Sequence, residues 1–185
     1  MNTIEVLDDL RQRQRDGDLK GLTYIADVAA DQAAYNQYKK MSERVEGILG
    51  DFVNRCTSEY FPTFLKVKKP EEILEITVHG YADPRPILGN YMEAPVTFLN
   101  PDGTQEMTIA TGEALDNVKL AGLRAYYAVS YLDGEFRKRG GDYSRMMEQG
   151  LLRWRAVSGS VDETSGNDLS EKRRIRVDFQ RVQGK

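Results

Sequence analysis

Apolar residues recur along this chain with two different periods, and the switches between them mark its elements. In residues 72–81, Leu74, Ile76 and Val78 alternate with Glu75, Thr77 and His79. That is the period of a strand with one buried face and one polar face. The same alternation returns near the end, where Ile175, Val177 and Phe179 stand against Arg174, Arg176 and Asp178 in a strand expected over 174–182. Residues 21–28, with β-branched and aromatic side chains, and 151–157, with Trp154, read as two more strands. Helical spacing takes over in two places. Tyr35, Tyr38, Met41, Val45, Ile48, Leu49 and Phe52 define a helix from 30 to about 60, kinked at Gly50 and closed by Phe61-Pro62. Val118, Ala121, Ala125, Ala128, Val129 and Leu132 share one face of a helix over 117–132, which Gly134 is expected to end.

The segments between these elements are polar or rich in breakers. Residues 3–15 carry Ile4, Leu7 and Leu10 on a narrow stripe, with acids early and arginines late, which predicts a short helical arm stopped by Asp16-Gly17-Asp18. Lys66 to Pro70 is a basic turn. Residues 84–116 form a long excursion. It leaves through Pro84-Arg85-Pro86, contains a β-hairpin of 96–99 and 104–109 around a Pro-Asp-Gly turn, and returns to Asp116 or Asn117 as a helix cap. Residues 137–141 read as a basic solvated turn, 143–149 as one or two extra helical turns, and 158–170 as loop. The order predicts an α/β (α+β) two-layer sandwich, with two main helices packed on one mixed β-sheet and an inserted hairpin. Residues 1–19 form an arm or linker, and 20–185 the domain, with its insertion at 84–116.

Composition narrows the function classes. A 185-residue chain that is 40% hydrophobic can bury a core, and a net charge of −3 gives no field for nucleic acid or an anionic membrane. One cysteine, Cys56, rules out an internal disulfide framework and a thiolate cluster. One histidine, His79, argues against a histidine-based zinc site, and it stands on the polar side of its strand with no partner motif. No metal and no cofactor is expected. No apolar run has the ~18–20 residues of a membrane span, and the charged first 18 residues do not read as a signal peptide. Taken literally this means a cytoplasmic protein that starts at Met1. A domain excised from a longer exported chain would read the same way.

The candidate chemistry is a pair of opposite charges. A strand ends in Val-His-Gly-Tyr-Ala-Asp (78–83) and delivers Asp83 to a loop, while the helix from Asn117 delivers Arg124 among apolar and small residues. Around one small ligand, Asp83 would accept from an ammonium and Arg124 would fork onto a carboxylate. The bland alternative makes Asp83 a turn cap and Arg124 a locally paired arginine. No nucleophile–base set, catalytic carboxylate pair or phosphate-cradling glycine loop stands out, so an enzyme is not expected.

Three short stretches in order carry a resemblance: Gly-Tyr-Ala-Asp (80–83), Asn-x-x-Leu-Ala-x-x-Arg-Ala (117–125) and Lys-Arg-Arg-Ile-Arg-Val (172–177). Together they resemble the peptidoglycan-binding domain family of OmpA, Pal and MotB C-terminal regions, over roughly residues 20–183. The resemblance implies a noncatalytic module that holds the diaminopimelate of a cell-wall stem peptide and anchors an envelope or motor-type assembly. Asp83 and Arg124 match the ligand-holding pair, Asn117 matches the Asn that orders the loop or touches ligand, and Arg173 matches an arginine that shapes the site. It also implies a periplasmic location, with a signal or anchor upstream, and admits an envelope protein partner or a homodimer by analogy with MotB-like relatives. Ala82, Ala121 and Lys172 depart from the usual Thr, Ser and Asn, and the segment between Asp83 and Asn117 is much longer than in the family. The rival expectation is a protein-interaction domain on the same fold, its pocket lost or covered by the inserted hairpin.

Overall fold

The alternation over 72–81 forms a strand that lies between two partners and ties the layers together. The computed structural model describes residues 50–85, 89–161 and 175–184. The expected arm at 3–15, the strand at 21–28, most of the helix at 30–60 and Arg173 lie outside these residues. In chain order the described elements are a π-helical turn (Cys56–Tyr60), α1 (Phe61–Val67), β1 (Glu72–Ala82), β2 (Val96–Leu99) and β3 (Glu106–Ile109). They continue with α2 (Asn117–Arg139), α3 (Gly141–Glu148), β4 (Leu152–Val161) and β5 (Ile175–Gln183). The five strands make one mixed sheet in the order β3-β2-β4-β1-β5. β4 runs parallel to β1, with Leu74 opposite Leu152, and β5 runs antiparallel to it, with Val78 opposite Val177.

One face of this sheet is the core. Leu74, Ile76 and Val78 from β1 meet Val177 and Phe179 from β5, and the layer above them comes from Phe61 and Phe64 of α1 and Ala125, Leu132 and Phe136 of α2. Each fully buried large apolar side chain contributes about 1.5–3 kcal/mol, which outweighs local helix propensity. The fold is the expected α+β sandwich of helices on one mixed sheet.

Two boundaries differ from expectation. Pro62 does not close the preceding helix. It sits in the first turn of α1, where its missing N–H costs nothing, and Phe61 and Phe64 carry the helical run on into the core. Gly134 does not end α2, which continues to Arg139. A mid-helix glycine costs only about 1 kcal/mol, and burying Phe136, two residues later and fully buried, exceeds that. Residues 137–139 are therefore the last helical turn and not a solvated loop. Arg137 pairs with Asp133 and Lys138 with Glu135, and Gly140, at φ +65°, makes the cap.

The inserted hairpin widens the sheet. β2 and β3 pair antiparallel, and Asn100 Oδ1 fixes their turn by accepting from Thr104 N (2.9 Å) and Gln105 N (3.2 Å). β2 then lies parallel beside β4, with Leu99 opposite Val157. Phe98 packs onto Gly122 of α2, where any Cβ would fall 2.0 Å from the ring. Among the described residues no helix is long and apolar enough to cross a membrane.

Candidate functional site

The site begins at an irregularity in β1. Its register with β4 shifts between Gly80 and Ala82. α2 lies directly on the strand there, since a Cβ on Gly80 would stand 2.0 Å from the Ala121 carbonyl oxygen. This close approach brings Arg124, on the buried side of α2 and only 2% exposed, down to the strand. Its Nη1 donates to the Tyr81 carbonyl. A guanidinium keeps its charge even when buried, so its burial requires such partners.

Asp83, 6% exposed, follows two residues later. Its Oδ1 accepts from the Arg85 backbone N–H and from Arg85 Nε, both at 3.0 Å, and its Oδ2 accepts from Arg85 Nη2 at 2.7 Å. This is a turn closed by the side chain, reinforced by a two-pronged ion pair. Arg85 also contributes its carbonyl, which accepts from Asn117 Nδ2 at 2.9 Å. Asn117 is available for that contact because Asp116 takes the capping position, accepting from Lys119 N at 2.8 Å. Ser158 of β4 closes the floor, donating to the Val118 carbonyl at 2.8 Å.

Of the four residues selected from the sequence, three thus converge on one chain reversal. Arg124 holds the Tyr81–Arg85 segment at Tyr81, Asn117 holds it at Arg85, and Asp83 lies between. Arg173 lies outside the described residues. The residue that sequence reasoning missed is Arg85, read only as part of a rigid exit. The signal was there in Asp-Pro-Arg, a carboxylate two residues ahead of a guanidinium. The hairpin, one candidate roof for this site, instead extends the sheet beyond β4. Chemically, the reversal offers a buried carboxylate and a buried guanidinium at one end of the sheet, suited to binding and positioning. Cys56 is fully buried, and burial pushes its thiol well up, away from a reactive thiolate. No cluster of His, Cys, Asp and Glu among the described residues could hold a metal ion. Compared with family models, curated proteins and solved structures, the chain gives no match.

Proposed function

We propose that the chain is a noncatalytic cell-wall binding module of the OmpA-like kind, which grips diaminopimelate-containing stem peptides of peptidoglycan at the reversal after β1. The observation that carries this reading is the meeting of Asp83, Asn117 and Arg124 around the Tyr81–Arg85 segment. Diaminopimelate presents an ammonium and a carboxylate on one carbon, so a carboxylate and a guanidinium at one site complement it as charge-assisted hydrogen bonds. The Arg85 side chain is 55% exposed, so a ligand ammonium can approach its pair with Asp83 from solvent and compete for that carboxylate. The reading places the module in the periplasm, as the anchor of a larger envelope assembly.

Cosedimentation with purified diaminopimelate-type peptidoglycan tests it. Wild type is expected in the pellet, while Asp83→Asn and Arg124→Lys, verified as folded by circular dichroism, remain in the supernatant. Wild type that fails to pellet ends the wall-binding reading.

A second reading has one specific observation in its favour. The two-pronged Arg85–Asp83 pair satisfies the Asp83 carboxylate from within the chain, as a protein-interaction domain without a wall pocket would. Under that reading neither wild type nor Arg85→Ala pellets with the wall.

A further inference from the structure

The hairpin that widens the sheet also supplies one of its ends. In the order β3-β2-β4-β1-β5, β3 has a neighbour on one side only. It pairs with β2 in unbroken register, from Val96 opposite Ile109 to Leu99 opposite Glu106. The Asn100 N–H donates to the Gln105 carbonyl at 2.8 Å, which sets the phase of this ladder. Successive residues of an antiparallel strand turn their backbone groups to alternate sides. Met107 and Ile109 therefore bond to β2, while Glu106 and Thr108 turn their N–H and C=O groups outward. Side chains close the backbone before and after this stretch. Asn100 Oδ1 takes Thr104 N at 2.9 Å, and Glu113 Oε2 takes Ala110 N at 2.9 Å. Between these two closures, Glu106 and Thr108 make no outward backbone hydrogen bond among the described residues.

An edge strand is commonly blunted by proline, by lysine or by a bulge. β3 has none of these, and its one charged residue is the exposed Glu106. Charge gives the occupant of this edge its sign. Residues 86–118 contain Glu93, Asp102, Glu106, Glu113 and Asp116 and no lysine, arginine or histidine. Glu113 pairs with Lys119 at 2.8 Å, and Asp116 caps α2. Asp102 and Glu106 are exposed and have no ion pair among the described residues. A second copy of the chain would set this acidic, base-free segment against itself, so the edge suits a different and basic chain. The two faces of β3 add a pattern. Thr108 stands on the outer face with Glu106, its Oγ1 2.8 Å from Thr97 Oγ1, and the half-buried Met107 packs on the cluster that holds Phe98 and Ile109.

We propose that the outer edge of β3 accepts an extended, basic segment of a partner protein as an added strand of the sheet. Glu106 and Thr108 exchange their backbone hydrogen bonds with the residues opposite them, in the antiparallel sense. A lysine or arginine stands opposite Glu106, and an apolar residue opposite Met107 extends the cluster beneath it. A β-branched residue opposite Thr108 completes the pattern, so the partner reads β-branched, apolar, basic from its N-terminal side. β2 and β4 separate this edge from β1. The proposal therefore stands or falls independently of wall binding at the reversal after β1.

The test is an amide-resolved NMR titration of the full chain at constant ionic strength. The probes are the end-capped peptide Lys-Val-Thr-Val-Lys, its acidic counterpart Glu-Val-Thr-Val-Glu, and the lysine peptide N-methylated at its threonine and its last lysine. The lysine peptide is expected to give saturable shifts centred on Glu106, Met107 and Thr108. The acidic peptide should bind about fivefold more weakly or worse, the scale of replacing an opposite-charge cross-strand pair with a like-charge one. The N-methylated peptide should not bind, because the amides that face β3 are blocked. Glu106→Lys, a change at an exposed position, is expected to reverse the preference between the two charged peptides. Any of four results overturns the proposal. The lysine peptide gives no saturable shift on β3; the N-methylated peptide binds like its parent; Glu106→Lys leaves the charge preference unchanged; or the shifts at Glu106 and Thr108 follow protein concentration without peptide, the mark of a second copy on this edge.

Discussion

Arg85 closes on Asp83 through both ends of its guanidinium edge, Nε to Oδ1 at 3.0 Å and Nη2 to Oδ2 at 2.7 Å. The acid is buried and the side chain of the base is 55% exposed, so the pair sits at the solvent boundary. A wall ligand that uses Asp83 must first displace Arg85. A two-pronged pair on a buried carboxylate is worth more than a surface ion pair, about 1–3 kcal/mol, so the competition is appreciable. Arg85→Ala is therefore expected to tighten peptidoglycan binding about fivefold or more. Binding isotherms by cosedimentation measure this, and weaker binding by the variant would assign Arg85 to the ligand instead.

The same substitution at two glycines should move stability in opposite directions. An added Cβ at Gly80 meets the Ala121 carbonyl at 2.0 Å and the Ala125 nitrogen at 2.8 Å, both backbone atoms that cannot step aside. Gly80→Ala is expected to cost about 3 kcal/mol or more. At Gly134, in the middle of α2, nothing lies within 4 Å. Gly134→Ala should add up to about 1 kcal/mol through helix propensity. Urea midpoints at unchanged slope report both. A neutral Gly80→Ala would mean that α2 does not rest on β1.

What could be read in advance follows from how local each cause is. β1 and β5 were legible because period-two alternation is written within a few residues, and the hairpin because Asn-Pro-Asp-Gly encodes its own turn. The position of that hairpin was not legible. Its place beside β4 depends on Leu99 meeting Val157 and on Phe98 finding Gly122, contacts between distant segments. Gly134 misled for the same reason, since a local stop signal was overridden by the burial of Phe136. At the site, Asp83, Asn117 and Arg124 could be selected by type and order. Arg85 was passed over, because Asp-Pro-Arg hints at a pairing that only the turn geometry of the folded loop makes definite.

Asp116 is the cap that frees Asn117 for the loop, so it couples helix stability to site geometry. Asp116→Ala should destabilise the domain by about 1 kcal/mol, and Asp116→Asn, an equally good cap, by much less. Denaturant unfolding separates the two. If Asn is no better than Ala, the contribution of Asp116 is its charge near the helix start and not its hydrogen bond to Lys119.

Asp178 should give the fold a dependence on acid. Burial opposes ionisation of its carboxyl. The His79 hydrogen bond and the Arg176 charge outweigh that and hold it below the ordinary value of 3.8. A carboxyl that binds its proton less readily when folded stabilises the fold at every pH above the unfolded value. That contribution disappears as pH falls through the lower, folded value. Asp178→Asn removes the ionisation, so it should cost about 1–3 kcal/mol at pH 7, the scale of hydrogen bonds to a charged group. The gap from wild type should then narrow as both are acidified below the ordinary aspartate range. Urea unfolding of the two proteins at a series of pH values traces that gap. A gap that stays constant from neutral to acid would show that His79 and Arg176 hold the Asp178 side chain by shape and not by its charge.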